Sequence, residues 1–401
     1  MKKFDIIFAG GGLSALLTLS EMLQRPAFRD KKILLLDRSD KRSNDRTWCF
    51  WAPDDTALPP VMFRTWNYCH FYGPGYAEKM NIHPYRYRMV RGIDFYEWAG
   101  KQISAAAHVQ RLQCNILEID ADSGIVSTDA GIFQGEWVLN SALTNRTAIP
   151  EALPFGWKSP FTAQQQAISK PYIHLLQHFR GWVIRSAEAQ FDTEAVTMMD
   201  FRIDQKGETR FVYVLPLSAQ EALVEFTVFS PALLSENEYD SALRAYISEY
   251  LKLQHFEVVE TEFGIIPMSN YPFQPKTTAR VVHIGTAGAY VKASSGYAFK
   301  RSVRLSKKLV DHWEKTGSPA GFDARSSRAC RLFDTIFLRV LQDRNELGAQ
   351  IFANLFGKLP ASLVLRFLDE DASAFEMFRI MLAAPRLPFM KAAILTMSDE
   401  R

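Results

Sequence analysis

The chain has 401 residues, of which 47% are hydrophobic and 23% charged, with a formal net charge of +3. This composition is that of an ordinary globular protein and excludes a disordered or fibrous one. The length exceeds what one simple core accommodates, so we expect two or three packed subdomains. A net charge of this size, without Lys and Arg clustered on one element, does not indicate a protein that binds nucleic acid.

The cysteines and the apolar segments indicate the compartment. The chain contains four cysteines, none of them in a CxxC pair, so neither a zinc site nor a redox-active dithiol is indicated. Scattered thiols fit a reducing cytoplasm. A strand is predicted almost from the first residue, so we expect no cleavable leader. No apolar run reaches the length of about 18 residues that a membrane-spanning helix needs.

The first predicted elements form a βαβ unit. Residues 4–9 are a short apolar run of strand type, and residues 14–24 carry their apolar side chains on one helical face. Residues 33–36 are a second apolar run, typical of a buried parallel strand. Residues 46–76 are aromatic and rich in proline, and we predict an irregular segment there.

The later elements are mainly strands, followed by a helical C-terminal region. Strands are predicted over residues 112–120, 124–127, 136–141, 211–215, 222–229 and 280–284, and helices over 95–107, 238–253 and much of the chain from 296 onward.

A glycine turn between the first strand and the first helix indicates a nucleotide site. Gly10, Gly12 and Ala15 fit the pattern GxGxxA, with Gly11 between the glycines. The first glycine permits the tight turn, the second lets the backbone approach a pyrophosphate, and the small third residue lets helix and strand pack closely. Asp37 follows the second strand, farther along than the usual spacing of about 20 residues, and is the candidate acceptor for an adenosine ribose. The alternative is a structural glycine turn with a surface Asp, but the strand–turn–helix context favours the nucleotide.

A second glycine turn favours FAD over NAD. Compact NAD enzymes continue with alternating strands and helices, whereas antiparallel strands are predicted here. Gly285, Thr286 and Gly288 follow another predicted strand and are candidate cofactor-binding residues. A long cofactor needs two such ends, one for the ADP and one for the ribityl chain and flavin ring. An ordinary strand-to-helix loop remains the alternative for this turn.

Glu225 is the candidate catalytic acid. It lies in an apolar predicted strand, where alternation places Leu223, Glu225 and Thr227 on one face. If that face lines an apolar cavity, desolvation raises the pKa of the carboxyl, and the neutral acid can protonate an alkene. The alternative is a solvent-facing Glu on a half-exposed strand.

Several segments resemble the lycopene cyclase family. Residues 44–51 are similar to the family's HTWSFH segment, with Arg46 and Trp51 in place of its histidines. Residues 223–227 align with the motif FLEET or LIEDT, although Phe226 replaces the second acid. Further similar segments lie at residues 85–96, 192–202, 285–299 and 385–390, so the resemblance covers nearly the whole chain.

The resemblance implies a fold and an activity. It implies an α/β, Rossmann-like FAD-binding fold of the glutathione-reductase or hydroxylase type, with an antiparallel β substrate subdomain and a helical C-terminal region. We expect the FAD-binding subdomain at residues 1–150 with 276–315, the substrate subdomain at 151–275 and the helical region at 316–401. The implied enzyme is a lycopene beta-cyclase, an isomerase that uses reduced FAD, NAD(P)H as reductant and lycopene as substrate. Its catalytic acid maps onto Glu225.

The hypothesis for the reaction is an acid-initiated cyclisation. Neutral Glu225 protonates the C1–C2 double bond of a ψ-end, and the C5–C6 double bond attacks the cation at C1. Loss of the C6 proton gives a β-ring, first in γ-carotene and then in β-carotene. Because lycopene dissolves in lipid, we expect a peripheral protein on the inner face of the membrane. Residues 351–356 and 387–391 are the candidate docking segments, with a buried helical core as the alternative.

Two other functions fit the same sequence. A FAD-dependent monooxygenase or a prenyl or carotenoid reductase has the same fold and consumes NAD(P)H stoichiometrically. Thr286 weighs slightly against a hydroxylase, which often carries Asp after that glycine. A non-catalytic carotenoid carrier is the alternative outside enzymes and would be indifferent to Glu225.

Overall fold

The structure is a computed structural model and describes residues 1–141, 172–271 and 279–399. Its strands are β1 (Lys2–Ala9), β2 (Ile33–Asp37), β3 (Thr47–Ala52), β4 (Arg64–Trp66), β5 (Tyr68–Gly73), β6 (Tyr76–Asn81), β7 (Arg86–Arg91), β8 (Val109–Gln113), β9 (Ile116–Asp120), β10 (Ile125–Thr128), β11 (Gly131–Asn140), β12 (His174–Arg185), β13 (Ala195–Asp200), β14 (Thr209–Pro216), β15 (Glu221–Ser230), β16 (Glu257–Ser269) and β17 (Val281–His283). Its helices are α1 (Leu13–Leu23), α2 (Gly92–Ala105), α3 (Glu236–Glu249), α4 (Phe299–Thr316), α5 (Arg328–Asp343), α6 (Gly348–Lys358), α7 (Ala361–Leu368), α8 (Ala374–Ala383) and α9 (Arg386–Asp399).

The first sheet contains the predicted βαβ unit. Its strands run in the order β8-β2-β1-β11-β10-β9, and β17 pairs with β11. β1 is parallel to β2 and to β11, and β11 is parallel to β17. The carboxyl ends of β1, β11 and β17 therefore meet at one edge, the edge at which open α/β sheets bind ligands.

The first sheet is buried on both faces, as its apolar strands predict. Ile6 and Phe8 of β1 share a core cluster with α1, α2 and α4, whereas Ile7 and Ala9 lie in a cluster on the opposite face. A strand covered on both faces has no polar side, which explains the uninterrupted apolar run at residues 4–9.

The second sheet runs in the order β16-β12-β15-β14-β13-β5-β6. Its neighbours are antiparallel, except that β13 and β5 are parallel. One face, with Val224 and Phe226 of β15, packs against α3. The other face, with Leu223 and Phe229, shares a cluster with the C-terminal helices. The alternation predicted for residues 222–229 is confirmed.

A three-stranded sheet, β3-β7-β4, lies between the two larger sheets. Consecutive residues of β3 belong to different clusters, since Phe50 packs with the first sheet and Trp51 with the second. The prediction of an irregular segment at residues 46–76 is therefore wrong, because β3, β4 and β5 fall within it. Apolar side chains on both faces of β3 conceal the alternation that marks most strands.

The helical C-terminal region is confirmed, but one of its predicted docking segments is wrong. Residues 351–356 fall in α6, where Ile351, Phe352, Leu355 and Phe356 are all buried in the core. They pack beneath the second sheet, for example through Phe356 against Phe71 of β5. In the part of the chain that the structure describes, no helix is both long enough and apolar enough to cross a membrane.

The subdomains are interleaved in sequence. β5 and β6 precede most of the first sheet in the chain, yet they pair into the second sheet through β13. The boundaries predicted at residues 150 and 275 lie outside the described residues and remain predictions.

Candidate active site

The two glycine turns lie side by side at the carboxyl edge of the first sheet. We call this edge the nucleotide edge, because the sequence predicts a nucleotide there. Gly10 ends β1 with φ 102°, and Gly285 follows β17 with φ 65°, a conformation that favours glycine in both cases. A Cβ atom placed on Gly285 would lie 3.6 Å from Ser14 Oγ at the start of α1. The structure thus brings together the two turns that the sequence predicts for one cofactor.

The first turn leaves room for phosphates. Gly12 is the N-cap of α1, no side chain caps this helix end, and no other atom lies within 4 Å of the position that a Cβ on Gly12 would take. Helix N-termini with free N–H groups bind phosphate well. Ala15 is fully buried against the first sheet, which fits the small residue that the pattern requires.

Asp37 lies beside the first turn but already accepts two hydrogen bonds. The backbone N–H of Gly11 donates to Oδ2 at 2.5 Å, and that of Ser39 donates to Oδ1 at 2.7 Å. Lys41 Nζ is 3.3 Å from the same carboxylate. Asp37 therefore holds the turn in place, in addition to its predicted contact with a ribose.

The second turn is a short 3-10 helix at Gly285–Gly288, which includes Thr286. Gly288 tolerates no side chain, because a Cβ would lie 2.3 Å from the carbonyl oxygen of His283. The chain then continues through residues 289–298 to the start of α4 at Phe299. This connecting segment includes Tyr297, so it leads directly from the nucleotide edge to the second sheet.

Glu225 lies on the inner face of the second sheet, next to a second glutamate. Gly181 of β12 pairs with Glu225 of β15 on one side and with Glu262 of β16 on the other. All three residues share one face, and the missing side chain of Gly181 leaves the space between the carboxyls open. We call Glu225 and Glu262 the glutamate pair.

Two threonines fix the outer sides of the glutamate pair. Thr227 Oγ1 donates to Glu225 Oε1 at 3.0 Å, and Thr47 Oγ1 of β3 donates to Glu262 Oε2 at 2.8 Å. Glu262 Oε1 is buried and accepts no hydrogen bond from a described N–H group or hydroxyl. A buried carboxylate oxygen that accepts no hydrogen bond destabilises the folded protein. A proton shared with Glu225 removes this cost.

The glutamate pair holds a proton under conditions in which an exposed carboxyl would lose it. Desolvation, the nearby charge of Glu262 and a hydrogen bond from Glu225 to Glu262 raise the pKa of Glu225 well above its ordinary value. Desolvation also raises the pKa of Glu262, although the hydrogen bonds from Glu225 and Thr47 oppose it. Ionising both of two adjacent buried carboxyls costs a large free energy, because the like charges repel each other. The pair therefore carries one proton and one negative charge.

An aromatic cluster of Trp51, Tyr87, Tyr213 and Tyr297 borders the glutamate pair. Tyr297 packs edge-on against Trp51 with ring centroids 4.6 Å apart, and Trp51 stacks on Tyr87 at 6.5 Å. Desolvation raises the pKa of Tyr87 and of Tyr213, so both phenols are neutral. Desolvation, followed by the charge of Glu225, also raises the pKa of Cys49.

These groups line a space rather than solid core. Protein surrounds Cys49, Tyr213, Glu225, Glu262 and Tyr297, and desolvation dominates the pKa of each. All five nevertheless keep accessible surface. A cleft at the start of α4 shares Tyr297 with this region and is otherwise lined largely by charged side chains such as Lys300 and Asp369. The site therefore holds the glutamate pair among phenol and thiol groups that burial keeps neutral.

A buried ion network holds the segment that carries Tyr297. Lys292 Nζ lies 2.7 Å from Asp334 Oδ1 of α5, and Ser294 Oγ donates to the same oxygen at 2.7 Å. Arg301 of α4 pairs with Glu370 at 2.7 Å, and Glu370 also lies 3.4 Å from Lys292. The network joins the connecting segment to α4, α5 and the end of α7, and so fixes one wall of the space.

Comparison with known proteins identifies the family. The model of the family described as "Lycopene cyclase protein" matches residues 5–394. The chain belongs to the lycopene cyclase family. A lycopene beta-cyclase from Pseudescherichia vulneris is 24% identical over 97% of this chain and 96% of its own, and one from a Paracoccus species is 24% identical over 96% and 95%. The relatives that carry these names are enzymes, and we treat this chain as an enzyme of the same family.

Solved structures show that this lycopene cyclase family member has the fold of flavin-dependent enzymes. A geranylgeranyl bacteriochlorophyll reductase-like protein from Thermoplasma acidophilum has a TM-score of 0.58 at 13% identity, with 98% of each chain covered. A flavin-dependent brominase variant has a TM-score of 0.58 at 11% identity, with 99% of this chain and 100% of that chain covered. The predicted Rossmann-like fold class is confirmed.

The structure explains the departure at Phe226 from the family motif. Phe226 points away from Glu225 and packs against Tyr239 of α3, with ring centroids 6.3 Å apart. An acid at this position would lie on the opposite face of β15. The second carboxylate of the site comes instead from Glu262, which the sequence alone did not single out. Its only signal is an acid at the point where the exposed half of β16 becomes buried.

Proposed function

We propose that this member of the lycopene cyclase family is a lycopene beta-cyclase. It closes the linear ψ-ends of lycopene into β-rings, giving γ-carotene and then β-carotene. Atoms are conserved in this reaction, which makes the enzyme an isomerase of the intramolecular lyase class. The observation that carries the proposal is the buried glutamate pair, in which Glu225 keeps a proton on the same sheet face as Tyr213.

Glu225 is the proton donor in this proposal. Its neutral carboxyl transfers a proton to C2 of the ψ-end, which leaves a tertiary cation at C1. Attack by the C5–C6 double bond closes the six-membered ring and moves the charge to C5. Loss of the C6 proton completes the β-ring. A carboxyl held neutral by burial suits this step, because a donor must still carry its proton at working pH.

The aromatic cluster has two tasks. It excludes water, which would trap the cation as an alcohol. The faces of Trp51 and Tyr297 also attract a cation, by about 1–2 kcal/mol for each desolvated ring. Tyr213 contributes a hydroxyl that stays neutral beside Glu225.

FAD fits the nucleotide edge of the first sheet. Gly10, Gly11 and Gly12 at the uncapped start of α1 would hold the pyrophosphate, and Asp37 lies beside them. The turn at Gly285–Gly288 would hold the other end of the cofactor near the segment that carries Tyr297. In its reduced form, kept so by NAD(P)H, the flavin would supply fixed negative charge beside the cation.

The enzyme meets its substrate at the inner face of the cytoplasmic membrane in this proposal. Large apolar side chains project from one side of α8 and α9, which we call the outer face: Phe375, Phe378, Met381, Leu382, Leu387, Met390, Ile394 and Met397. Leu387 is 81% exposed and Phe375 71% exposed. Exposed apolar patches of this kind mark interaction surfaces. The opposite side of both helices packs into the cluster that contains Trp51 and Tyr87.

The charge of the outer face favours anionic lipid. Arg379, Arg386 and Lys391 flank it, and among the described residues none of the three forms an ion pair. Apolar side chains beside Lys and Arg are typical of helices that lie in a membrane interface. The bilayer holds the carotene substrate, so docking here gives the enzyme access to it.

The test is conversion of lycopene by the flavin-loaded protein. Wild-type protein in lycopene-containing vesicles with FAD and NADPH is expected to form γ-carotene and then β-carotene. Chromatography detects both products. Glu225→Gln is expected to bind FAD and form no ring. An unchanged lycopene peak with the wild type, together with steady NADPH oxidation on another lipid, would favour a monooxygenase or a reductase instead.

A further inference from the structure

The proposed cyclisation needs a base as well as an acid. C2 of the ψ-end gains a proton and C6 loses one, and C1 alone separates these two carbons. The group that donates the first proton and the group that accepts the second must therefore be neighbours. In the candidate active site, the glutamate pair is the place where two carboxyl groups meet on one face of the second sheet.

We propose that Glu262 is the second catalytic residue, the base that takes the C6 proton while Glu225 supplies the proton to C2. This proposal rests on the proposed cyclase function and deepens it. It assigns the two proton transfers to two strands, β15 and β16, which Gly181 of β12 separates.

The hydrogen bonds of Glu262 leave one oxygen available as a base. Oε2 accepts the hydroxyl of Thr47 at 2.8 Å, which fixes the side chain from the β3 side. Oε1 lies over Gly181, since a Cβ on that glycine would be 3.1 Å from it. This oxygen accepts no hydrogen bond from a described N–H group or hydroxyl, so only the proton of Glu225 engages it. When Glu225 gives that proton to the substrate, Oε1 becomes an unpaired, buried anion.

The other polar groups that border the space are poor bases. Tyr213 of β14 and Cys49 of β3 lie beside the glutamate pair. Tyr297 lies beside Tyr213, and Tyr87 of β7 lies beside Cys49. Desolvation raises the pKa of each, so all four stay protonated and neutral at physiological pH. Before Glu225 donates its proton, the carboxylate of Glu262 is the charged oxygen among these described groups. It also places a negative charge beside the cation that it later deprotonates.

The proton balance closes within the pair. The O–H bond of Glu225 breaks as the C2–H bond forms, and the C1–C6 bond forms from the C5–C6 electron pair. The C6–H bond then breaks, its electrons form the C5–C6 double bond of the ring, and the proton forms an O–H bond on Glu262. The hydrogen bond between the two carboxyls returns the proton to Glu225. No oxidant, reductant or net proton is consumed.

The test is the product pattern of Glu262→Gln, compared with Glu225→Gln and with Glu260→Gln as the matched control. Glu260 lies on the same strand but is exposed. Glu262→Gln is expected to lower β-ring formation at least about 100-fold, the usual loss for a general base. The rings that remain are expected to carry their double bond elsewhere, as γ- or ε-rings, because the cation still forms. Wild-type amounts of β-ring in Glu262→Gln would overturn the proposal, and so would a residual product made of β-rings alone.

If Glu262→Gln forms no ring, Glu262→Asp tests whether Glu262 is the base. A carboxylate withdrawn from C6 is expected to yield some γ- or ε-rings beside the β-rings, whereas β-rings alone would contradict the assignment. Flavin content and thermal midpoint, measured on every variant, show that each protein is folded. A wild-type protein that forms no ring from lycopene would overturn the proposed function itself, which separates the two failures.

Discussion

Gly181 of β12 and Glu262 of β16 are paired residues, and the glycine carries no atom where the glutamate side chain passes. A Cβ atom on Gly181 would lie 2.8 Å from Glu262 Cγ and 3.1 Å from Glu262 Oε1. The same atom would lie 3.1 Å from Leu223 Cδ1 on the other side. The site therefore depends on glycine here, and the first prediction follows from that contact.

Gly181→Ala is expected to lower the turnover of lycopene while FAD still binds. The added methyl displaces Glu262 from Glu225, and misplaced catalytic groups commonly lose about 100-fold in rate. Gly100→Ala is the control, because a Cβ at Gly100 of α2 meets no atom within 4 Å. Turnover and flavin content are measured for both variants. Full activity in Gly181→Ala would show that the alignment of the glutamate pair is unimportant.

Glu225→Gln is expected to be more stable than the wild type at neutral pH. The pKa of Glu225 is raised in the folded protein, by desolvation first and by Glu262 second. Its contribution to stability is therefore full below the unfolded pKa, and it is lost as the pH rises through the folded pKa. A glutamine has no such loss, so the gap between the two proteins should widen with pH.

Thermal midpoints of the two proteins, measured from acid to mildly alkaline pH, check this prediction. The same experiment with Glu260→Gln, an exposed residue of β16, gives the control. Parallel curves for wild type and Glu225→Gln across the range would mean that Glu225 ionises as freely as an exposed carboxyl.

Thr227→Val is expected to move the alkaline limit of activity to higher pH. The hydroxyl donates to Glu225 Oε1 at 3.0 Å, and this hydrogen bond lowers the pKa of the carboxyl. Without it the proton is held more tightly, so the neutral acid persists to higher pH. The pH profile of turnover is the measurement, with Thr197→Val on β13 of the same sheet as the control. A shift toward acid would contradict the assignment of Glu225 as the donor.

Gly12→Val is expected to weaken FAD binding without unfolding the protein. Gly12 has φ −80° and an extended backbone that any residue adopts, and a Cβ there meets no atom within 4 Å. The side chain would instead fill the space that a pyrophosphate needs. We expect affinity for FAD to fall at least about 10-fold, or about 1.4 kcal/mol. Titration with FAD and the thermal midpoint of the flavin-free protein are compared with the wild type. Unchanged affinity would place the cofactor elsewhere.

Replacing Leu387, Met390 and Ile394 with serine is expected to release the protein from anionic vesicles. These side chains lie on one side of α9 and are between 59% and 81% exposed. The control replaces Leu117 and Ile132, which are also exposed but belong to β9 and β11 of the first sheet. Flotation with vesicles of phosphatidylcholine and phosphatidylglycerol measures binding, and light scattering measures self-association. Retained vesicle binding in the triple variant would reject the outer face as the membrane contact. A wild-type dimer that becomes monomeric in the triple variant would also reject it.

Local patterns were sufficient to predict the two glycine turns from the sequence. Each of its parts is a short segment with its own signal, such as Gly10–Gly12 after an apolar strand. The turn at Gly285 was predicted separately, and its position near Ser14 then followed from the parallel pairing of β1, β11 and β17.

Only one residue of the glutamate pair was predictable, because the position of the other depends on pairing between distant segments of the chain. Glu225 interrupts an apolar strand and was visible at once, whereas Glu262 follows the exposed half of β16, which already contains Glu257 and Glu260, and looked like one of them. Its burial comes from the register of β12 and β16 and from Thr47 on a third sheet. Such long-range pairing leaves no local trace in the sequence.

The most direct measurement is an anaerobic assay of the purified protein with lycopene in liposomes, FAD and NADPH. Products are separated by chromatography, and NADPH is followed by its absorbance. We predict that β-carotene accumulates over many turnovers while NADPH falls only by the amount needed to reduce the bound flavin. Consumption of one NADPH for each product molecule would contradict a non-redox cyclisation driven by Glu225, and so would the absence of any ring.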